Sequence, residues 1–252
     1  MSSISAYLEA ITDAQTLEEL WDMHVRKMGE YGFVRLFYGF TRYRTETSFG
    51  DPGDFVVLTN HKQDYANEFI SKGLYLNAPM VHWALKHEGA CSWGIMAEMA
   101  RKGELTQEEL KVLEFNRRHG VRAGYTISFK SVSQRSKGAI GLVAESDVPQ
   151  CEVDRIWAEH GADLIVMNNV AHLKILTLPY TGPGRALTKR QLEVLEWVGD
   201  GKTMQDIATL MGLTPATIEK HLRLARESLN VETTAQAVLK ASFHNQMFVV
   251  ER

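Results

Sequence analysis

A stretch in the last quarter of the chain carries side chains that could bind DNA. Between residues 215 and 229, apolar residues recur at helical spacing, which predicts an amphipathic helix. The opposite face of this helix holds short and basic side chains, namely Ala216, Thr217, Glu219, Lys220, Arg223 and Arg226. Such a face fits the major groove of duplex DNA, where it can reach base edges and phosphates. The alternative is a helical module whose polar face is only solvated.

The residues before this stretch have the spacing of a helix-turn-helix motif. Ala208 is followed by Gly212 and then by Ile218. The two helices of such a motif cross closely, so the position beneath the second helix must be small, and the turn needs a residue that tolerates positive φ. Ile218 then returns to the shared core. We expect three further apolar residues to complete this core, Ile207, Leu210 and Leu213.

Residues 187–252 also contain clear helix-start signals. A threonine is followed three residues later by glutamine or aspartate in three places, at Thr188, Thr203 and Thr233, which is the spacing of a capping box or a near variant. Thr214 is followed by Pro215, a combination that suits a helix N-cap and first turn. These signals predict four short helices, over about 188–199, 203–211, 215–229 and 233–244.

Residues 187–241 resemble the DNA-binding domain of LuxR-type regulators along their whole length. The family's TVxxHL core is matched by Thr217, Ile218, His221 and Leu222, and its landmarks by Leu195 and Gly201. The resemblance implies three base-reading residues, Glu219, Lys220 and Arg223, and three phosphate contacts, Lys202, Thr203 and Thr217. Gln191 stands where the family usually has glutamate, but glutamine can still accept a hydrogen bond from the Thr188 N–H.

The first 176 residues mix strand and helix patterns without strict alternation. Strands are predicted over about 32–42, 54–60, 124–132 and 138–146, and helical patterns over 16–29, 62–102, 106–120 and 151–176. This order favours an α+β protein, with an α/β/α sandwich around a largely antiparallel sheet. Residues 177–186 contain two prolines and two glycines and are predicted to link this sensor domain, 1–176, to the helix-turn-helix domain, 187–252.

Composition excludes several other classes of protein. The 252 residues carry a formal net charge of −3, and the two cysteines lie far apart, outside any CxxC pattern. The first residues lack the basic start and apolar core that are typical of a signal peptide. The sequence contains no apolar run near the roughly 20 residues of a membrane helix, and no metal-ligand or nucleophile signature. We therefore expect a cytoplasmic protein that is not an enzyme and has no metal, cofactor or membrane partner.

Residues 61–94 resemble the acyl-homoserine-lactone-binding domain of quorum-sensing LuxR proteins, and the looser resemblance extends over about 60–146. Pro79, Trp93 and Gly124 fall at the family's landmark spacings. The resemblance implies a ligand pocket that includes Tyr38, Tyr65, Phe69, Ala78, Pro79 and Trp93.

Three of these residues depart from the family pattern. Tyr65 replaces a tryptophan that donates to the lactone carbonyl, Phe69 replaces a tyrosine, and Ala78 replaces the aspartate that accepts the ligand amide N–H. A methyl group accepts no hydrogen bond. The neighbouring Asn77 could supply an acceptor, but we predict that it instead caps the helix that follows.

Three alternatives for the pocket therefore stay open. It binds an acyl-homoserine lactone through altered contacts, it binds a different and more apolar small molecule, or its own side chains fill it and the regulator acts without a ligand.

We expect the protein to bind two DNA half-sites as a homodimer, with 151–176 and 233–244 as candidate dimer surfaces. A protein-interaction adaptor that no longer binds DNA is the alternative of another class.

Overall fold

The computed structural model describes residues 3–249, which belong to two compact units, Met1–Leu176 and Thr177–Arg252. The first unit contains seven α-helices among its described residues: α1 (Ile4–Asp13), α2 (Leu17–Gly29), α3 (Gln63–Ser71), α4 (Pro79–Lys86), α5 (Gly94–Lys102), α6 (Gln107–Arg118) and α7 (Gln150–Ile175). Over the part of the chain that the structure describes, no helix has the length and apolar character to cross a membrane.

Five strands of the first unit form one antiparallel sheet. They are β1 (Phe33–Thr41), β2 (Val56–Thr59), β3 (Gly89–Ser92), β4 (Gly124–Ser128) and β5 (Lys137–Ala144). The spatial order is β2-β1-β5-β4-β3, so β1, β5 and β4 are central. Gly39 pairs with Ala139 across β1 and β5, and Thr126 pairs with Gly141 across β4 and β5.

The two faces of the sheet are covered by different helices. The α1–α2–α7 layer covers one face, where α2 contacts β1 and α7 contacts β3 and β4. The opposite face is covered by α3 to α6, of which α4 contacts β4 and β5. The predicted α/β/α sandwich with an antiparallel sheet is therefore confirmed.

The face under α7 is filled by large buried side chains. Leu36 and Leu142 have no exposed surface, and Tyr38 is only 1% exposed. The hydroxyl of Tyr38 lies 2.9 Å from Nδ1 of His172 on α7, and the His172 ring stacks on Phe129 at 4.1 Å. We call this side of the sheet the solid face.

Two elements of this unit were not predicted from the sequence. Strand β3 falls inside 62–102, where only helical patterns were identified, and α1 was not assigned. Strand β3 has four residues and pairs on one side only, with β4, so it is too short to show a strand period of its own.

The second unit contains four helices, α8 (Lys189–Gly199), α9 (Met204–Met211), α10 (Pro215–Leu229) and α11 (Thr234–Phe243). The capping boxes at Thr188, Thr203 and Thr233 are present in full, and Thr214 caps α10. The four predicted helices are confirmed within one or two residues at each end.

The segment predicted as a linker makes contacts inside the second unit. The Tyr180 N–H donates to the His244 carbonyl at 2.9 Å, and Gln246 Nε2 donates to the Tyr180 carbonyl at 2.7 Å. Leu178 is buried. The first residues of 177–186 are thus attached to the end of the helix-turn-helix unit.

Candidate ligand cavity and nucleic-acid interface

A cavity of about 490 Å³ lies between the sheet and helices α3 to α6. This volume falls within the range of roughly 300–1,000 Å³ that is typical of small-molecule pockets. The chain's own side chains therefore leave room for a ligand at this place in the first unit.

The floor of the cavity is formed by small residues on the central strands. Gly39, Ala139 and Gly141 all line it. A Cβ atom at Gly39 would meet no atom within 4 Å, and one at Gly141 would come no nearer than 3.6 Å to Trp93. Adjacent strands place these small residues side by side. No large side chain of the described strands therefore fills the space above the centre of the sheet on this face. We call this side the hollow face.

The cavity walls are largely aromatic. Tyr65 lies parallel to His61 on one side, with ring centroids 4.5 Å apart, and parallel to Phe115 at 5.2 Å. Phe37 meets Phe69 edge to face at 5.2 Å. Such walls favour a flat or apolar ligand, because few polar groups are available to bind a charged one.

Five of the six residues implied by the resemblance line this cavity, namely Tyr65, Phe69, Ala78, Pro79 and Trp93. The expectation for Tyr38 is wrong. Successive residues of a strand point to opposite faces, so Phe37 and Gly39 line the cavity while Tyr38 lies on the solid face beside His172.

The polar groups of two wall residues are already used within the protein. The hydroxyl of Tyr65 donates to Oδ1 of Asn116 at 3.0 Å, and Nε1 of Trp93 donates to Oγ1 of Thr126 at 2.8 Å. Tyr65 could replace the tryptophan donor of the family only by leaving Asn116. Burial raises the pKa of the Tyr65 hydroxyl, so it stays protonated at neutral pH.

The position of the missing aspartate is part of the apolar wall. Ala78 is 5% exposed and belongs to a buried cluster with Tyr65 and Phe69. Asn77 does not compensate for it, because Asn77 is exposed. The prediction that Asn77 caps the next helix is also wrong, since the N-cap of α4 is Ala78 and no side chain caps this helix.

His61 is a cavity residue that the sequence analysis missed. It is 8% exposed, lines the cavity, and its Nε2 atom is buried without a hydrogen-bond partner. Burial lowers the pKa of its imidazole to about 4, and the positive charges of Arg35 and His119 add to this effect. In the sequence, His61 is marked only by its place four residues before Tyr65.

In the second unit, α9 and α10 form the predicted helix-turn-helix. Ala208 is 2% exposed and Ile218 is fully buried. Gly212 ends α9 with φ at +65°, a conformation that glycine adopts without steric cost. Leu213 belongs to the edge of the core, but Leu210 is 55% exposed. The expectation that Leu210 completes the core is therefore wrong, because it falls on the outer face of the short α9.

The outer face of α10 is accessible. Ala216, Glu219, Lys220 and Arg223 are exposed, and within residues 3–249 Lys220 has no ion-pair partner. Arg223 pairs with Glu227 at 2.5 Å. This pair is exposed and contributes little to stability, so Arg223 can turn to DNA at small cost.

Arg226 is held more firmly than the other cations of this face. Its side chain is only 20% exposed, and it contacts Oε1 of Glu219 at 3.0 Å and Oγ1 of Thr234 at 2.9 Å. These contacts connect α10 to the start of α11. In the free protein, Arg226 therefore also stabilises the helix arrangement and orients Glu219.

The three residues implied as phosphate contacts lie at or near helix starts. Lys202 and Thr203 are exposed before α9, and Thr217 lies in the first turn of α10. The hydroxyl of Thr203 donates to Asp206 at 2.6 Å, and that of Thr217 lies 2.9 Å from the hydroxyl of Thr214. Helix N-termini favour anions, which suits the DNA backbone.

An apolar cavity in one unit and an exposed helix-turn-helix in the other are the parts of a ligand-responsive, DNA-binding regulator. Within the described residues, no cluster of three or more His, Cys, Asp or Glu side chains could hold a metal ion.

Comparison with known proteins identifies the family. Residues 16–175 match the autoinducer binding domain, and residues 185–241 match the bacterial regulatory proteins of the luxR family. The chain therefore belongs to the LuxR-type regulators, which combine these two domains.

Individual relatives are distant but extend over nearly the whole chain. The transcriptional activator protein AnoR of Acinetobacter nosocomialis is 23% identical over 93% of this chain and 94% of its own length. The transcriptional activator protein AhyR of Aeromonas hydrophila is 25% identical over 93% of this chain and 88% of its own length.

Two solved structures share the fold. SdiA in complex with octanoyl-rac-glycerol has a TM-score of 0.52 at 18% identity and covers 96% of this chain and 93% of its own. The N-acylhomoserine-lactone-dependent LuxR family factor CepR2 from Burkholderia cenocepacia has a TM-score of 0.53 at 15% identity and covers 68% of this chain and 92% of its own.

Proposed function

We propose that this transcription regulator binds operator DNA through α10 and that a small, mainly apolar molecule in the cavity controls this binding. The observation that carries the DNA-binding role is the exposed face of α10, held by Ala208, Gly212 and the core of the second unit. Glu219, Lys220 and Arg223 read bases in this proposal. Lys202, Thr203 and Thr217 contact phosphates, and Arg226 supports the face.

The cavity favours a ligand other than a usual acyl-homoserine lactone. An amide N–H placed against Ala78 would lose its acceptor, which costs about 1–3 kcal/mol, or roughly ten- to a hundredfold in affinity. The exposed Asn77 offers no replacement. A regulator that works without any ligand is not favoured, because about 490 Å³ is left between the sheet and the helices.

The charge of the second unit supports binding as a homodimer. Residues 177–252 contain nine basic and eight acidic side chains, so one unit has little general electrostatic attraction to DNA. Two units on two half-sites about one helical turn apart would double the specific contacts. Exposed apolar residues on α7 and α11 are candidates for the dimer contact, namely Val166, Leu173, Leu239 and Phe243.

The test is DNA binding by Lys220→Ala and Arg223→Ala. A duplex is first selected from a random library by the wild-type protein, and its affinity is then measured by electrophoretic shift at several salt concentrations. We expect each variant to lose about 1–3 kcal/mol of specific binding, because a base contact is removed. Lys111→Ala removes the same charge from an exposed site on α6 and serves as the control.

Wild-type affinity in both α10 variants would show that another surface reads the DNA. Failure of the wild-type protein to select any duplex would favour the adaptor alternative. Mass spectrometry of small molecules extracted from the purified protein tests ligand control separately from DNA binding.

A further inference from the structure

His61 stands apart from the other polar residues of the cavity. Neither nitrogen of its imidazole makes a hydrogen bond to any residue from 3 to 249, and Nε2 is fully buried. The ring is held in place by stacking on Tyr65 at 4.5 Å and by edge contact with Phe37 at 6.1 Å. A buried polar group without a partner is costly, so it requires an explanation.

The neighbouring polar groups do not share this property. Tyr65 is bonded to Asn116, and Trp93 is bonded to Thr126. Thr41, also in the lining, donates its hydroxyl to the Phe49 carbonyl at 2.8 Å. Among the described lining residues, Nε2 of His61 is thus the one fully buried side-chain polar atom without a hydrogen-bond partner.

The imidazole of His61 is uncharged at neutral pH. Its pKa is lowered to about 4, first by burial and then by the charges of Arg35 and His119. A neutral imidazole offers one N–H donor and one nitrogen acceptor. A partner group that can both donate and accept therefore fits whichever nitrogen carries the proton.

We infer that the ligand is a mainly apolar molecule with a hydroxyl group, and that this hydroxyl forms a hydrogen bond with His61. The inference rests on the proposed control by a cavity ligand and names the class of that ligand. The aromatic walls and the floor at Gly39 and Gly141 accommodate the apolar body, while His61 fixes its orientation.

Other polar groups fit less well. A secondary amide presents its N–H and carbonyl at two separate points, and Ala78 provides no acceptor for the first. A carboxylate must lose its hydration inside an apolar cavity. Three cations belong to the described lining, and none is buried against the cavity. Arg117 is exposed and pairs with Glu114, and Lys137 donates to the carbonyls of His87 and Phe129. Arg122 is exposed to solvent, where its charge is screened.

The experiment compares two probes that differ by one hydroxyl, 4-butylphenol and n-butylbenzene. Their affinities for the full chain are measured by titration calorimetry at pH 7. We expect 4-butylphenol to bind the wild-type protein at least fivefold more tightly, since it supplies the missing hydrogen bond. In His61→Phe, which keeps an aromatic ring at this position, the preference should disappear or reverse.

Two further variants separate hydrogen bonding from folding. His61→Gln retains a donor and an acceptor, so it should keep part of the preference even where it lowers stability. His87→Phe changes an exposed histidine outside the lining and should leave the preference unchanged. Thermal unfolding of each variant shows whether the protein is folded at the temperature of the titration.

The other possible results of the titrations contradict either the role of His61 or the proposed cavity ligand. Equal binding of the two probes to the wild-type protein, or a preference that survives in His61→Phe, contradicts the role of His61 while leaving ligand control intact. Tighter binding of 4-butylbenzoate than of 4-butylphenol would show that the cavity prefers an anion. Failure of both neutral probes to bind would contradict the proposed cavity ligand itself and the inference with it.

Discussion

The two faces of one sheet have opposite characters in this protein, although the same strands build both. On β5, Leu142 is completely buried under the α7 side, while the adjacent Gly141 lines the cavity. On β1, Tyr38 packs beside His172, while the adjacent Gly39 has open space where a side chain would be. The alternation of strand residues thus separates a face that stabilises the fold from a face that can bind a ligand.

This separation has an energetic consequence. Close packing on the solid face gives each buried group many dispersion contacts. Removing a side chain there therefore lowers the free energy of unfolding by the full value of those contacts. Residues around a cavity have fewer such contacts, and they can change with less effect on stability. A regulator of this kind could alter its ligand preference by substitutions on the hollow face without unfolding.

The largest effect is expected for Leu142→Ala on the solid face. Removing this fully buried side chain should lower the free energy of unfolding by about 3 kcal/mol, because it removes apolar contacts and leaves a new void. The adjacent Val143 is also buried but lines the cavity. Val143→Ala should cost only about 1 kcal/mol, since the space beside it already exists.

Urea unfolding followed by tryptophan fluorescence measures both variants. The comparison is of the loss per carbon atom removed, which corrects for the different sizes of leucine and valine. An equal loss per carbon at the two positions would mean that the faces do not differ in packing, and the distinction between them would fail.

The sequence predicted the second unit better than the first for a physical reason. Capping boxes such as Thr188 with Gln191, and the turn at Gly212, depend on residues a few positions apart, so the local sequence is sufficient. The matched family motif then placed Lys220 and Arg223 on the exposed face of α10. The exposure of Leu210 was missed because α9 is too short to show which side faces the core.

The cavity could be predicted only in part, because it depends on contacts between distant segments. The family landmarks pointed to Tyr65, Ala78 and Trp93, and these residues lie in the lining. They gave no information on which face of β1 is covered by α7, and Tyr38 was therefore assigned to the wrong side. His61 was missed because its significance lies in the absence of a partner within the described residues, and spacing along the chain does not reveal this.

A second prediction concerns the dependence of stability on pH, and it tests how well the solid face excludes water. Burial lowers the pKa of His172 on α7 and of His24 on α2 to about 4 in each case. In the unfolded chain the pKa is about 6.5. Between these values the unfolded state binds protons that the folded state excludes, so stability falls as pH falls from 6.5 to 4. At pH 5 each histidine should cost about 2 kcal/mol.

The double variant Tyr38→Phe/His172→Phe isolates the contribution of His172. It keeps an aromatic ring beside Phe129 and removes the Tyr38 hydroxyl, which would otherwise lose its partner. Between pH 6.5 and 5, the free energy of unfolding of the double variant should fall less steeply than that of the wild-type protein. The difference between the two slopes should be up to about 1.4 kcal/mol per pH unit. Tyr38→Phe alone should keep the wild-type slope. A double variant with an unchanged slope would show that water reaches His172.

The smallest effect on stability is expected for Gly39→Val on the hollow face. A Cβ at Gly39 meets nothing within 4 Å, and valine suits a central strand better than glycine. The free energy of unfolding should therefore stay within about 1 kcal/mol of wild type. The new methyl groups extend into the cavity, so the affinity for 4-butylphenol should fall at least tenfold.

Gly138→Val is the matched control, because Gly138 pairs with Phe40 next to the Gly39–Ala139 pair. A Cβ at Gly138 would lie 3.0 Å from the His172 ring and 3.1 Å from that of Phe40, so overpacking should cost about 1–3 kcal/mol. The backbone of Gly138 also borders the cavity, but the added side chain would point to His172 on the solid face, so affinity for 4-butylphenol should change little. Two glycine-to-valine changes at neighbouring positions would then have reversed effects, one on binding and one on stability. If Gly39→Val is the more destabilising variant, or leaves the affinity intact, the hollow face is not the binding face.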